Sequence, residues 1–178
     1  MWVFAGKLPR AALLIAPRAP YISEHPEYGG YSWVERRAES FSRFEAFGAA
    51  RERFDDLLPE IATALDADLS SFAMMGFSQG AAFAYTYALT HPGRVSRLAA
   101  LAGFLPEGSE EALGRGAAAD LPVYIAHGAK DDTVPIARAQ QARDALTAGG
   151  ANVAYCESDT GHKLGANCFA ELAAFFQR

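Results

Sequence analysis

The chain has 178 residues, of which 51% are hydrophobic and 21% are charged. This balance is typical of a globular protein and excludes a disordered acidic chain, a collagen-like chain and a coiled-coil rod. The 21 acidic and 16 basic residues give a formal net charge of −5. Because no cluster of Lys and Arg stands out, nucleic acid is not expected as a partner.

Targeting signals and cysteine usage indicate the compartment. The longest early apolar run, residues 11–16, is too short to span a bilayer and is a poor core for a signal peptide. Cys156 and Cys168 could pair once, but two reduced thiols in a reducing compartment are the simpler expectation. We therefore expect a soluble, cytoplasmic protein without a membrane span.

Short apolar runs alternate with longer helical stretches, which predicts an α/β protein with a parallel sheet covered by helices. Strands are expected at residues 11–16, 71–76, 98–102, 123–127 and 151–157. Helices are expected at residues 37–65, 79–90, 136–148 and 166–177. Residues 17–33, rich in proline, glycine and tyrosine, are expected to form an ordered surface loop. With no repeat or linker, residues 1–178 should form a single domain.

The sequence Gly-Phe-Ser-Gln-Gly at residues 76–80 matches the pattern G-x-S-x-G. An apolar strand ends at Gly76 and an alanine-rich helix starts at Gln79, so Ser78 would occupy a sharp strand-to-helix turn with an exposed hydroxyl. Side chains at Gly76 and Gly80 would collide with the neighbouring strand and helix. The helix N-terminus would aim the Gln79 N–H at developing negative charge, as an oxyanion hole does. The alternative is that Ser78 only caps the helix.

A serine nucleophile needs a base, and the base needs an acid that orients it. His162 lies just after the last strand, and Asp131 follows the preceding strand. Their loops should reach the same sheet edge as Ser78, and the order serine, acid, histidine is that of α/β-hydrolases. His127, at a strand end, is expected to be structural. No residues have metal-ligand spacing and no G-x-G-x-x-G follows a strand, so neither a metal nor a cofactor is expected.

These motifs resemble those of the phospholipase/carboxylesterase (acyl-protein thioesterase-like) family of α/β-hydrolases. The similarity rests on GFSQG, on H-G-x-x-D-x-x-V-P at residues 127–135 and on Gly-His before the last helix. Bacterial members also carry equivalents of residues 16–21, 29–33 and 103–106, and the resemblance runs from Trp2 to Arg178. It implies an α/β-hydrolase fold with a mostly parallel sheet and helices on both faces. It also implies Ser78 as nucleophile, His162 as general base and Asp131 as orienting acid.

The chain departs from this family at its N-terminus. Family members begin with a strand that ends in HGxGG, and that loop donates one backbone N–H to the oxyanion hole. The sequence opens after this motif, so the resemblance implies an N-terminally shortened sheet and an oxyanion hole with one donor missing. An apolar strand at residues 11–16 would then pair directly with residues 71–76 or leave two open edges, which favours a homodimer.

The expected function is hydrolysis of short- to medium-chain carboxylic esters through an acyl-enzyme. Two alternatives stay open: an acyl thioesterase or lysophospholipase with the same triad, and a weakly active or non-catalytic hydrolase remnant that binds a ligand or partner. Apolar side chains in loops at the predicted active edge would bind the substrate. The expected substrate-binding residues are Tyr28, Tyr31, Trp33, Phe104, Leu105 and Val134.

Overall fold

Four parallel strands form the central sheet of the computed structural model, which describes residues 2–9, 11–23, 30–35 and 41–177. In spatial order these strands are β3 (Phe72–Phe77), β4 (Val95–Leu101), β5 (Pro122–Gly128) and β6 (Asn152–Ser158). A separate antiparallel ribbon pairs β1 (Tyr21–Ile22) with β2 (Tyr31–Ser32). The predicted parallel sheet is confirmed for every strand except the first.

Helices follow the strands as the hydrophobic pattern predicts. They are α1 (Gly48–Leu65), α2 (Gln79–Thr90), α3 (Glu110–Gly114), α4 (Ile136–Ala148) and α5 (Ala166–Gln177). One 3-10 helix, Trp2–Lys7, lies near the N-terminus, and a second, Phe44–Phe47, comes directly before α1. The predicted bounds of α2, α4 and α5 are confirmed, whereas the short α3 was not predicted.

Helices cover both faces of the sheet because successive strand residues point to opposite sides. Leu98 and Ala100 of β4 belong to the larger core, which includes residues of α1, α2 and α4. Ala99 and Leu101 of the same strand belong to a second core, which includes residues of α5 and of the first 3-10 helix. This burial of the strands on both faces explains their continuous hydrophobicity.

The predicted strand at residues 11–16 is wrong. The segment has no regular structure after a turn at its start, and Leu13 and Ile15 are 56% and 38% exposed. A strand needs a neighbour for its backbone hydrogen bonds, and no such neighbour lies beside this segment within the described residues. Apolar composition alone could not show that the partner is missing.

The outer edge of β3 is consequently open. Phe72 N–H donates to Arg94 and Ser78 N–H to Leu101, so these alternate positions face β4. The amides and carbonyls of the intervening residues point the other way, where no described backbone group pairs with them. Of the two arrangements expected from the sequence, the structure therefore has the open edge.

The two cysteines form a disulfide, which corrects the expectation of reduced thiols. Cys156 in β6 and Cys168 in α5 are both buried, and their Cα atoms lie 5.7 Å apart. The packing of α5 on the sheet brings them together, and this tertiary contact is not visible in a spacing of 12 residues. Separately, no helix within the described part of the chain has the length and hydrophobicity needed to cross a bilayer.

Candidate active site

Ser78 occupies a sharp turn between β3 and α2. Its backbone has φ 54° and ψ −122°, a conformation that non-glycine residues rarely adopt. Its side chain makes no hydrogen bond that caps α2. The serine is therefore held in a strained backbone geometry without serving the simple capping role that the sequence left open.

Gly76 is required by the tight packing of this turn. A Cβ atom added there would lie 2.1 Å from the Gly80 carbonyl oxygen and 2.4 Å from the Ala81 nitrogen. At Gly80 itself the nearest atom to an added Cβ would be the Trp33 indole nitrogen, at 3.8 Å. The collision predicted for both glycines thus occurs at Gly76 but not at Gly80.

Asp131 lies in the turn after β5, where its carboxylate is fully enclosed. Its Oδ1 accepts hydrogen bonds from the backbone N–H groups of Thr133 and Val134, at 3.0 and 2.9 Å. Its Oδ2 lies 2.8 Å from His162 Nδ1, and its side chain is 0% exposed. Burial raises the pKa of Asp131. The hydrogen bond from the Val134 amide and the contact with His162 lower the pKa by a larger amount, so the net pKa lies below the usual value.

His162 lies in the loop between β6 and α5, and its imidazole remains accessible. The side chain is 22% exposed, unlike that of its partner Asp131. Its ring centroid lies 4.9 Å from that of Phe77, the residue before Ser78. The structure therefore brings the predicted acid and histidine into hydrogen-bond contact and places the histidine beside the strand-to-helix turn.

Gln79 is the first residue of α2, and its backbone N–H has no backbone acceptor among the described residues. Its side chain has a contact that the sequence did not reveal. Gln79 Oε1 accepts from the Trp33 backbone N–H at 2.9 Å, and Nε2 donates to Ser32 Oγ at 3.1 Å. These bonds fasten the end of β2 and the following residue to the start of α2.

A large apolar cavity of about 830 Å³ reaches Ser78 and Gln79. It lies between the open edge of β3 and the irregular segment at residues 11–16. Its other lining residues include Leu13, Ile15, Trp33, Leu58, Met74 and Phe83. The indole of Trp33 stacks on Phe83 with ring centroids 3.9 Å apart, which gives this wall a fixed surface.

The expected substrate-binding residues are distributed unevenly around Ser78. Tyr31 and Trp33 line the large cavity, whereas Phe104 and Val134 line a smaller cleft of about 50 Å³ that also reaches Ser78. Leu105 lines neither space and packs against the larger core. Tyr28 lies outside the described residues.

Phe41 lies beside the candidate site, and the sequence did not indicate this. It lines the small cleft, and its ring makes an edge contact with Phe104 at a centroid distance of 4.9 Å. Sequence reasoning placed Phe41 in a helix, and nothing in its spacing pointed to the cleft. Across the described ranges, no group of His, Cys, Asp and Glu is arranged to hold a metal ion.

Comparison with known proteins identifies the family. The sequence model of the Phospholipase/Carboxylesterase family matches residues 3–178. The chain belongs to this family. A search of the curated proteins gives no significant match.

Solved structures of esterases have the same fold as this family member. Esterase PE8 is 25% identical, with a TM-score of 0.77 over 92% of this chain and 76% of its own. The carboxylesterase from Mesorhizobium loti is 23% identical, with a TM-score of 0.78 over 98% and 80%. The Bacillus cereus carboxylesterase is 20% identical, with a TM-score of 0.80 over 98% and 79%. The expected α/β-hydrolase fold is thus confirmed, and the homology to esterases supports a hydrolase.

Proposed function

We propose that this family member is a serine carboxylesterase that hydrolyses carboxylic esters through an acyl-enzyme. The observation that carries the proposal is the position of three side chains. Ser78, Asp131 and His162 follow the carboxyl ends of β3, β5 and β6, which meet at one edge of a parallel sheet. The strained turn at Ser78 and the Asp131–His162 hydrogen bond add support.

In this mechanism, the Ser78 hydroxyl attacks the ester carbonyl while His162 Nε2 accepts the hydroxyl proton. Asp131 holds the imidazole by its hydrogen bond to Nδ1 and stabilises the imidazolium that forms. The free Gln79 backbone N–H, at the N-terminus of α2, stabilises the negative charge on the carbonyl oxygen. His162 then protonates the leaving alcohol, and water repeats the sequence to release the acid.

The proposal is tested by hydrolysis of p-nitrophenyl butyrate. Ser78→Ala should abolish turnover and prevent labelling by a fluorophosphonate probe. Ser71→Ala is the matched control, because Ser71 is exposed and precedes β3 at the end opposite to Ser78. Retained activity in Ser78→Ala would refute the assignment. A folded parent with no activity on any ester or thioester would favour a non-catalytic remnant that binds a ligand or partner.

Chain length is the finer part of the proposal. From the absence of a long apolar insertion in the sequence, we propose a preference for short- to medium-chain esters. The large apolar cavity beside Ser78 favours a second candidate, an acyl thioesterase or lysophospholipase acting on longer chains. Butyrate, octanoate and laurate esters, each with its thioester, separate the two. Faster turnover of laurate than of butyrate would select the second.

We also propose that two copies associate, because the open edge of β3 exposes unpaired backbone groups. Light scattering at tens of micromolar tests this, and a monodisperse monomer would refute it.

The cytoplasmic location stays a prediction, and the buried disulfide argues against a reducing compartment. Fractionation of cells that express the native gene would decide the location.

A further inference from the structure

His127, a second histidine, also contacts the Asp131 carboxylate. It lies near the end of β5, four residues before Asp131, and its side chain is 0% exposed. Its Nε2 lies 2.8 Å from the Val134 carbonyl oxygen and 3.3 Å from Asp131 Oδ2. Its Nδ1 is buried and has no hydrogen-bond partner among the described residues.

These contacts determine which nitrogen of His127 carries the proton. Both neighbours of Nε2 are oxygen atoms that only accept, so Nε2 must be the donor. A proton on Nδ1 would be buried without an acceptor, which costs more than leaving a lone pair unpaired there. The favoured tautomer therefore carries its proton on Nε2.

His127 Nε2 lies against both ends of a short turn: its N–H donates to the Val134 carbonyl, and Asp131 Oδ2 lies 3.3 Å away. Asp131 begins the turn, and Val134 ends it with a backbone N–H that donates to Asp131 Oδ1. Rotation of the carboxylate would break the bonds that Oδ1 accepts from the Thr133 and Val134 amides and would move Oδ2 away from His127 Nε2. The remaining contact of Oδ2 is the bond to His162.

We infer that His127 is a positioning residue, which holds Asp131 Oδ2 in the direction of His162 by fixing the turn at residues 131–134. The inference rests on the proposed function only in taking His162 as the base. The inference extends that function, because the sequence alone predicted only a structural role for His127. His127 itself does not touch the substrate.

The first experiment compares two substitutions of His127. His127→Leu removes the donor, whereas His127→Gln retains an amide N–H that can reach the same acceptors. We expect His127→Leu to lower kcat by about 10²-fold, because a small misplacement of a catalytic group can cost that much in rate. KM should change by less than about twofold, since the ester itself loses no contact. His127→Gln should recover most of the lost kcat.

The second experiment repeats His127→Leu in an Asp131→Ala background. If His127 acts through Asp131, it should cause no further loss once the carboxylate is absent. An equal loss in both backgrounds would overturn the inference, as would an unchanged kcat in a folded His127→Leu single variant. If the leucine variant does not fold, His127→Met replaces it in both arms.

A proton NMR measurement makes the inference independent of activity. The His162 Nδ1 proton, held against Asp131, should give a downfield resonance in the parent and in His127→Gln. It should shift or disappear in folded His127→Leu, and a resonance unchanged there would overturn the inference. A parent without esterase activity would refute the proposed function, while this resonance would still test the role of His127.

Discussion

Removal of the Cys156–Cys168 disulfide should destabilise the fold and loosen the segment that carries His162. The bond joins β6 to α5, and the enclosed residues include the whole loop at residues 159–165. Cys156→Ala combined with Cys168→Ala is the suitable perturbation, because alanine leaves no unpaired thiol or hydroxyl in the buried site.

The magnitude follows from the length of the closed loop. For a separation of 12 residues, the chain-entropy relation gives about 3 kcal/mol of stabilisation through the unfolded state. For a protein of this size, about 3 kcal/mol corresponds to a decrease in Tm of roughly 6–12 °C. The two small cavities left by the sulfur atoms would add to this decrease.

Differential scanning calorimetry of the parent and the double variant measures the effect. Thiol titration of the denatured parent should detect no free thiol before reduction and two after it. The parent should unfold in one transition if residues 1–178 form a single domain, as the sequence predicts. The kcat of the double variant should also fall, because the loop that carries His162 is no longer closed by a covalent bond between the elements on either side of it.

Two results would refute this reasoning. A Tm within about 1 °C of the parent would show that the bond contributes no measurable loop-closure entropy. Two free thiols in the unreduced parent would show that the bond does not form in solution. Reductant provides the control. After denaturation and refolding in reductant, the parent should have a lower Tm, whereas the Tm of the double variant should be unchanged.

Three further substitutions test the surroundings of the site. Gly128→Ala should lower kcat by about 100-fold, because its Cβ would lie 2.1 Å from the Gly161 carbonyl oxygen and displace His162; an unchanged kcat would contradict this. Gln79→Ala should raise KM more than it lowers kcat. It removes the hydrogen bond that holds Trp33 in the cavity wall but keeps the backbone N–H that stabilises the oxyanion; a larger effect on kcat than on KM would count against this. Asp131→Asn should destabilise the protein at neutral pH, and this difference in melting temperature should shrink below about pH 4. Folding lowers the pKa of that carboxyl, so its stabilisation is present above the unfolded pKa and is lost as the pH falls through the folded one; a difference constant with pH would refute this.

Local patterns determined much of this protein. The helices α2, α4 and α5 were predicted with their observed bounds, because the signals that begin or end a helix, such as Gly149 and Gly150 after α4, act within a few residues of chain. Ser78, Asp131 and His162 were predicted as site residues from short motifs and from their positions after apolar runs. Each follows a continuous apolar strand, and parallel topology alone brings such strand ends to one edge.

Only the tertiary structure decided which of these local patterns found partners. Residues 11–16 have the composition of a buried strand, but a strand needs backbone groups from a neighbour, and that neighbour is missing among the described residues. The Cys156–Cys168 bond, the hydrogen bonds of the Gln79 side chain and the contact of His127 with Asp131 likewise depend on distances between separate elements. The sequence determined what each segment could form, whereas the packing of segments determined which groups meet, because pairing and burial require atoms far apart in the chain.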